Sequence, residues 1–276
     1  MKLKRIIVKT TLFFGLVIWT VLVTDCLQFY EKADDIERFR VLHMEKDALA
    51  EYDTAYQYGS PIFMQKLTER MLSGSFCLAS ENESVPTSFF YQYGPCKAVY
   101  KKYLNMYTII LSDIKYFPVP EDITGKATTN FEDSWLGERT YGGKRQHEGT
   151  DIMASNNLRG YFPVISMTDG VVEKKGWLEQ GGYRIGIRSP AGAYFYYAHL
   201  YRYEDGIDTG DTVKAGQVIG YMGDSGYSKV EGTVGKFDVH LHLGIYIDYQ
   251  GEEMSVNPYF LLKYFEGKKK KFYNKS

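Results

Sequence analysis

The sequence contains few cysteines, and none of them lies in its second half. Three occur among 276 residues, at positions 26, 77 and 96. Because residues 125–276 contain no cysteine, a cysteine nucleophile is excluded from that part of the chain. Cys77 and Cys96 flank a polar stretch, where they either close a disulfide outside the cytoplasm or remain two buried thiols.

Positive charge is scarce in the body of the chain. The formal net charge is −1, but residues 1–24 hold four basic side chains and residues 268–276 hold five, with no acid in either segment. The remaining residues therefore carry a net charge of −10, which argues against a nucleic-acid partner. The lysine-rich tail, residues 266–276, is predicted to be solvated. Its alternative role is to attract anionic wall polymers or lipid headgroups.

The N-terminal segment lacks a signal-peptide cleavage site. Basic residues through Lys9 precede an apolar stretch from Thr10 to Val23, and no small-x-small pattern follows it. Residues 1–29 are therefore predicted to form an uncleaved signal-anchor. This would be a single transmembrane segment in the cell membrane, with its basic end in the cytoplasm and the rest of the chain outside.

The next region, residues 30–120, shows no internal repeat and is predicted to be a small helical membrane-proximal region that ends in a linker. One helix is expected to begin at Pro61, with Ser60 as its cap, and another is expected over 97–114. The proline-rich residues 117–120 are interpreted as the linker.

From Ile123 onward the chain consists of short β-like runs separated by glycines. Four candidate strands lie at 169–172, 182–188, 193–198 and 216–220. Their spacing predicts a β-dominated domain over residues 121–265. With the helical region before it, the chain is predicted to have an α+β fold.

Two of the five histidines, His240 and His242, lie in a single candidate strand, Val239–Gly244. Successive side chains of a strand point to opposite faces, so both imidazoles share one face while Leu241 and Leu243 face a core. In isolation, such a pair is as often two partly exposed strand residues as it is part of a site.

An upstream pair, His147 and Asp151, favours the interpretation that these histidines belong to a site. In an extended strand these two side chains also share a face. Together with one histidine of the later pair they supply two imidazoles and a carboxylate. That is the ligand set of a catalytic Zn²⁺ whose fourth position is open to water. His199 ends another candidate strand of the same domain, whereas His43 is interpreted as a surface residue.

These motifs together resemble those of the lysostaphin/LytM-type zinc metallopeptidases. The pattern consists of His-x-x-x-Asp at 147–151, Tyr-x-His-Leu at 197–200 and His-Leu-His at 240–242. The turn-and-strand segments at 169–172, 210–220, 222–226 and 256–258 follow in the order of that family. The resemblance covers about residues 125–262 and leaves the N-terminal third outside it.

The resemblance implies an antiparallel β-sheet domain with its site in a groove, and hydrolysis of peptide bonds in bacterial peptidoglycan. The bond cut would lie in the stem peptide or in the cross-bridge. The positions that match the zinc ligands of the family are His147, Asp151 and His242. The positions that match its non-ligand catalytic residues are His240 for the water proton, His199 for the transition state and Tyr141 for the oxyanion.

One departure from the family pattern lies between Tyr227 and Asp238, where a short glycine-containing turn is usual. An insertion here is expected to form one groove wall and to affect substrate preference. The main alternative function is a non-catalytic, peptidase-like scaffold that binds cell wall or activates another wall hydrolase. Such scaffolds typically lose ligands, and this sequence retains all of them, which favours the enzyme.

Overall fold

The computed structural model describes residues 2–33, 35–79, 97–141 and 143–273. The helices in these ranges are α1 (Lys2–Ala33), α2 (Ile36–Val41), α3 (Lys46–Tyr56), α4 (Pro61–Ser73), α5 (Lys97–Leu111) and α6 (Tyr259–Phe265). The hypothesis of a Cys77–Cys96 disulfide involves Cys96, which lies outside the described residues.

The first helix, α1, covers the predicted signal-anchor. Its large apolar side chains between Ile6 and Val21 are exposed. Nevertheless, no helix within the described ranges combines the length and the apolar character that a membrane crossing requires.

The helical region forms as its local signals indicate. Helix α4 begins at Pro61, and the Ser60 hydroxyl accepts a hydrogen bond from the Phe63 amide at 3.1 Å. That contact satisfies one of the free donors of the first turn. Helix α5 ends at Leu111, three residues before the predicted end. Leu111 is the last buried residue of the helix, and the chain turns at residues 112–113.

Of the sixteen strands in the described residues, five overlap segments that the sequence pattern predicts. The sixteen are β1 (His43–Met44), β2 (Cys77–Leu78), β3 (Glu121–Asp122), β4 (Thr129–Phe131), β5 (Glu138–Arg139), β6 (Arg145–Gln146), β7 (Thr150–Ala154), β8 (Pro163–Ile165), β9 (Gly170–Leu178), β10 (Gly182–Arg188), β11 (Tyr194–Tyr203), β12 (Thr212–Val213), β13 (Val218–Met222), β14 (His240–Tyr249), β15 (Glu252–Val256) and β16 (Lys271–Phe272). All four candidate strands between residues 169 and 220 are confirmed.

One antiparallel sheet carries the candidate site. Its main path runs β12-β9-β10-β11-β14-β7-β4, with β13 and β8 joined through β11 and with β15 beside β14. Strand β14 is central and lies between β7 and β11. As predicted, Val239, Leu241 and Leu243 are buried in the core, so the alternate residues His240 and His242 face the opposite side of the sheet.

Helices α2 to α6 and the sheet share one hydrophobic core. Arg40, which lies in α2, donates to the Ser255 carbonyl of β15 at 2.9 Å and to the Ser255 hydroxyl at 3.0 Å. The stretch predicted as a linker is instead packed, since Phe117 and Val119 are fully buried. The Pro118 carbonyl accepts a hydrogen bond from the Ile165 amide at 2.9 Å, so this stretch is tied to the sheet.

Two further expectations are corrected by packing. The lysine-rich tail is not a free solvated segment through residue 273, because β16 pairs in parallel with β3. Lys268 reaches the Asp53 carboxylate at 2.9 Å. His43 is half-buried rather than a surface residue, since its ring stacks on Phe260 with centroids 4.5 Å apart.

Candidate metal centre and active site

Strand register brings two of the predicted ligands together. Asp151 on β7 and His242 on β14 are direct cross-strand partners. His147 was expected in the same strand as Asp151, but it precedes β7 and lies in the loop after β6. Backbone hydrogen bonds with Leu136 and Gly137, both 2.9 Å, hold that loop in place. Its imidazole therefore reaches the site from outside the sheet.

The ligand atoms of His147, Asp151 and His242 all lie within 4.8 Å of one another. Asp151 Oδ1 is 3.0 Å from both His147 Nε2 and His242 Nδ1, and these two nitrogens are 2.9 Å apart. Neutral imidazoles that face each other with lone pairs at this distance repel, unless a proton or a cation lies between them. The donors of a tetrahedral zinc site lie roughly 3.3 Å apart, so this donor set fits Zn²⁺.

Outer contacts orient the ligands. His147 Nδ1 lies 3.0 Å from the Ser134 hydroxyl and 3.1 Å from the Ser134 carbonyl, which directs Nε2 towards Asp151. Arg139 on β5 forms an ion pair with Asp151 Oδ2 at 2.5 Å. Sequence reasoning missed Ser134 and Arg139, because neither belongs to a motif that is visible along the chain.

The electrostatics keep Asp151 ionised. Burial alone would raise the pKa of its carboxyl, but hydrogen bonds from His147 and His242 outweigh that effect. The pKa therefore lies far below its usual range. Burial lowers the pKa of His242, and the nearby Asp151 charge opposes that shift. An ionised carboxylate beside an imidazole that favours its neutral form suits metal coordination.

Gly149 makes room for His242. A Cβ atom at this position would lie 2.6 Å from His242 Cε1 and 2.7 Å from His242 Nε2. No real side chain tolerates such contacts, so any other residue at 149 must displace the ring. The sequence shows this glycine between His147 and Asp151, but only the folded contact explains it.

The two other predicted histidines, His240 and His199, lie beside the ligands, with ring centroids 4.7 Å apart. His240 Nε2 is 3.8 Å from Asp151 Oδ1. Each ring places Nδ1 against a backbone carbonyl, at 2.7 Å from Asp238 O for His240 and 2.8 Å from Ser225 O for His199. In the neutral tautomer that donates these bonds, Nε2 is an acceptor.

His199 reaches the site only because its strand is irregular. Ala198 faces the site as the partner of His242, so strict alternation would turn His199 into the core. Instead, the register of β10 with β11 shifts at this point, and His199 has a φ of +60°. Burial, together with the neighbouring histidines His240 and His242, lowers its pKa well below the ordinary value. His199 is therefore neutral at neutral pH.

The predicted oxyanion residue, Tyr141, is separated from the histidines by another ring. Tyr141 stacks on Tyr227 with centroids 4.4 Å apart, and Tyr227 in turn contacts His199 edge-on at 5.9 Å. Phe237 packs on both His199 and His240, at 4.7 and 5.1 Å. Residues 227–238 thus contribute to one wall of the cleft, as predicted for this insertion, and the rings of Tyr227 and Phe237 make that wall aromatic.

The metal and catalytic candidates open into one cleft of about 930 Å³. Tyrosines cover much of its sheet floor. Tyr194 lies over Gly186, and Tyr246 lies over Gly244, since a Cβ on either glycine would collide with the ring. Tyr141 is not among the residues that line this cleft. Its volume lies within the range that is usual for ligand clefts.

Known proteins with a similar sequence are peptidases, in agreement with this arrangement of residues. The sequence profile of peptidase family M23 matches residues 145–258. The chain is 46% identical over 150 residues to an L-Ala–D-Glu endopeptidase of Bacillus subtilis (strain 168). The matched residues are 54% of this chain and 43% of that protein. It is 32% identical over 114 residues to the glycyl-glycine endopeptidase ALE-1 of Staphylococcus capitis, over 37% of this chain and 30% of that protein.

A crystal structure from Ruminococcus gnavus ATCC 29149, described as a candidate glycyl-glycine endopeptidase lytM, is similar over nearly the whole chain. The TM-score is 0.72 at 44% identity, and the match covers 86% of this chain and 93% of that one. The chain therefore belongs to peptidase family M23. It spans less than half the length of both curated relatives, whereas the structural match extends beyond the β domain into the helical region.

The Gly149 contact leads to a test of metal binding. Gly149→Ala should weaken zinc binding about 10- to 100-fold, because the new methyl group displaces the His242 ring. Gly267→Ala is the matched control, since a Cβ at Gly267 meets nothing within 4 Å. Titration with a competing chelator measures the affinity. Equal affinity in the two variants would contradict the role assigned to Gly149.

The backbone of His199 leads to a test of stability. Both His199→Gly and His199→Ala remove the imidazole, but only glycine adopts a φ of +60° without cost. The glycine variant should be more stable than the alanine variant by about 1 kcal/mol, the reverse of the order expected within a regular strand. Denaturant unfolding of the metal-free proteins measures this difference. An alanine variant of equal or greater stability would show that the strand is not strained here.

Proposed function

We propose that this chain is a Zn²⁺-dependent endopeptidase that hydrolyses peptide bonds in bacterial peptidoglycan. The observation that carries the proposal is the placement of His147, Asp151 and His242 in one cleft with His240 and His199. Membership of family M23 supports it. The names of the two curated relatives supply two candidate bonds, L-Ala–D-Glu in the stem peptide and glycyl-glycine in a cross-bridge.

His147 would hold Zn²⁺ through Nε2, Asp151 through Oδ1 and His242 through Nδ1. Bound there, Zn²⁺ would polarise the scissile carbonyl and lower the pKa of a water molecule towards roughly 7. The remaining contacts serve orientation. Ser134 directs the His147 ring, and Arg139 occupies the second oxygen of Asp151.

His240 and His199 handle protons through their free Nε2 atoms. His240 Nε2 is the nearer to Asp151, so it is assigned to accept the proton of the attacking water and pass it to the leaving amine. The neutral His199 accepts rather than donates at Nε2. It can therefore stabilise developing negative charge only after that atom takes up a proton. The role of Tyr141 would require Tyr227 to move, because the two rings are stacked.

A non-catalytic scaffold is less well supported. Such a protein has no need to keep the three ligands, their orienting contacts and two further histidines with accessible acceptor atoms in one cleft. The contacts of Ser134 and Gly149 position the ligand rings, although Gly149 also leaves room for the Leu243 carbonyl, and a wall-binding surface would not require oriented ligands.

The paired variants His240→Ala and His242→Ala test the proposal. The first should retain about one zinc per chain while peptidoglycan hydrolysis falls by about 10²- to 10⁴-fold, because it removes only proton transfer. The second should lose both zinc and activity, because it removes one of three ligands. Metal analysis and mass spectrometry of digested peptidoglycan measure both results. Wild-type protein with bound zinc that releases no new peptide termini would contradict the enzyme and favour the scaffold.

We also infer that the enzyme acts outside the cytoplasm, where peptidoglycan lies. The basic and apolar N-terminal segment supports export, and residues 1–29 would hold the chain at the cell membrane. Fractionation of cells should place the full chain with the envelope. N-terminal sequencing of that material should find residue 1 or 2 first. Recovery from the cytosol, or a start near residue 26–30, would contradict the retained anchor.

A further inference from the structure

The cleft is lined by four cationic side chains, and one of them stands apart. They are Arg139, Arg145, Lys174 and Arg184. Arg139 is paired with Asp151, and Lys174 with Glu253 at 3.8 Å. Arg145 donates to the Tyr227 hydroxyl and to the Tyr141 carbonyl, both at 3.4 Å. Within the described ranges, Arg184 alone among the four has no side-chain hydrogen bond or ion pair.

Arg184 is also partly withdrawn from water. Its Nη1 atom is buried, and no acceptor among the described residues contacts it. A buried donor left without a partner costs free energy, and a cationic donor costs more than a neutral one. An ordered water, an ion or a ligand usually completes such a group. The guanidinium lies at the edge of a cleft that is open to substrate, where a ligand can reach it.

The surroundings of Arg184 provide no negative charge of their own. The neighbouring phenols of Tyr194 and Tyr203 are neutral, because burial raises the pKa of each to about 12. Glu253 is paired with Lys174, and Glu148 lies 3.8 Å from the Arg40 guanidinium. Three of the four carboxylates of the cleft are thus associated with other cations, and the fourth, Asp238, accepts a hydrogen bond from the Asn157 amide at 2.9 Å. Arg184 is left to bind an anion from outside.

Strand geometry places this cation on the same surface as the metal ligands. Arg184 shares a face of β10 with Gly186, which pairs with Tyr196 of β11, and Ala198 on that same face of β11 pairs with His242. Arg184 and the histidines thus line one cleft, so a peptide bound there can contact both. The backbone of Arg184 is held in a strand of the sheet, which limits the positions that its side chain can reach.

We propose that Arg184 binds a free carboxylate of the peptide substrate, so that the enzyme selects acidic stem peptides over glycine cross-bridges. This inference rests on the proposed function and narrows it. A D-Glu residue joined through one carboxyl group keeps the other free, whereas a glycyl-glycine bond has no carboxylate beside it. Arginine binds carboxylate through two parallel hydrogen bonds, which makes it a selective partner.

The test compares three synthetic peptides with the zinc-loaded full chain. One contains Ala–D-Glu with its free carboxylate, the second carries a carboxamide in place of that carboxylate, and the third is pentaglycine. The wild type should cleave the acid with a kcat/KM at least tenfold above that for the amide, and pentaglycine should be the poorest substrate. Arg184→Gln should cleave acid and amide at nearly equal rates, and Arg184→Lys should restore part of the preference.

Arg202→Gln is the matched control for loss of one strand arginine. Arg202 is exposed and lies over the Tyr221 ring at 3.7 Å, outside the cleft. It should retain the wild-type ratio of acid to amide cleavage. If the Arg184 variants did not fold, the wild-type ratio would still decide, because equal cleavage of acid and amide overturns the inference.

The two proposals fail differently. Efficient wild-type cleavage of pentaglycine, or an equal loss on both acid and amide in Arg184→Gln, would overturn the role of Arg184 and leave the peptidase intact. Failure of the zinc-loaded wild type to cleave any of the three peptides or intact peptidoglycan would overturn the proposed function, and this inference with it.

Discussion

The candidate site depends on the antiparallel pairing of β7 with β14. In that register Asp151 lies opposite His242, and Ala198 of β11 lies on the other side of the same histidine. A slip of one residue would turn either side chain to the core face and separate the ligands. The buried residues Leu241 and Leu243 oppose such a slip, because it would bring them to the polar face.

Around this pair, the ligands are held by contacts that come from elsewhere in the chain. His147 arrives from a loop that is tied to residues 136 and 137, and Ser134 orients its ring. Gly149 leaves the space that His242 occupies. The metal-binding geometry is therefore a property of the loop and the sheet together, and it can be disturbed without touching a ligand.

The helical region belongs to the same folded unit as the sheet. It shares the hydrophobic core, and Arg40 bonds to the strand next to β14. The match to the Ruminococcus gnavus structure covers 86% of the chain, more than the β domain alone. The lysine-rich end adds to this unit by pairing β16 with β3.

The sequence by itself determined the types and spacing of the candidate ligands, the positions of five strands of the β domain and the inward side of β14. These features are local, since the period-two alternation of His240–Leu243 and the capping of α4 by Ser60 involve residues close in the chain. Tertiary structure alone decided the rest. Alternation places His199 in the core, yet a bulge with a positive φ turns it to the site. Likewise, the ring of Tyr227 separates Tyr141 from the histidines, and Arg184 is left without an anion by the pairing of its neighbours. Those outcomes depend on which distant strands and loops meet, because register, bulges and charge pairing are set between segments rather than within them.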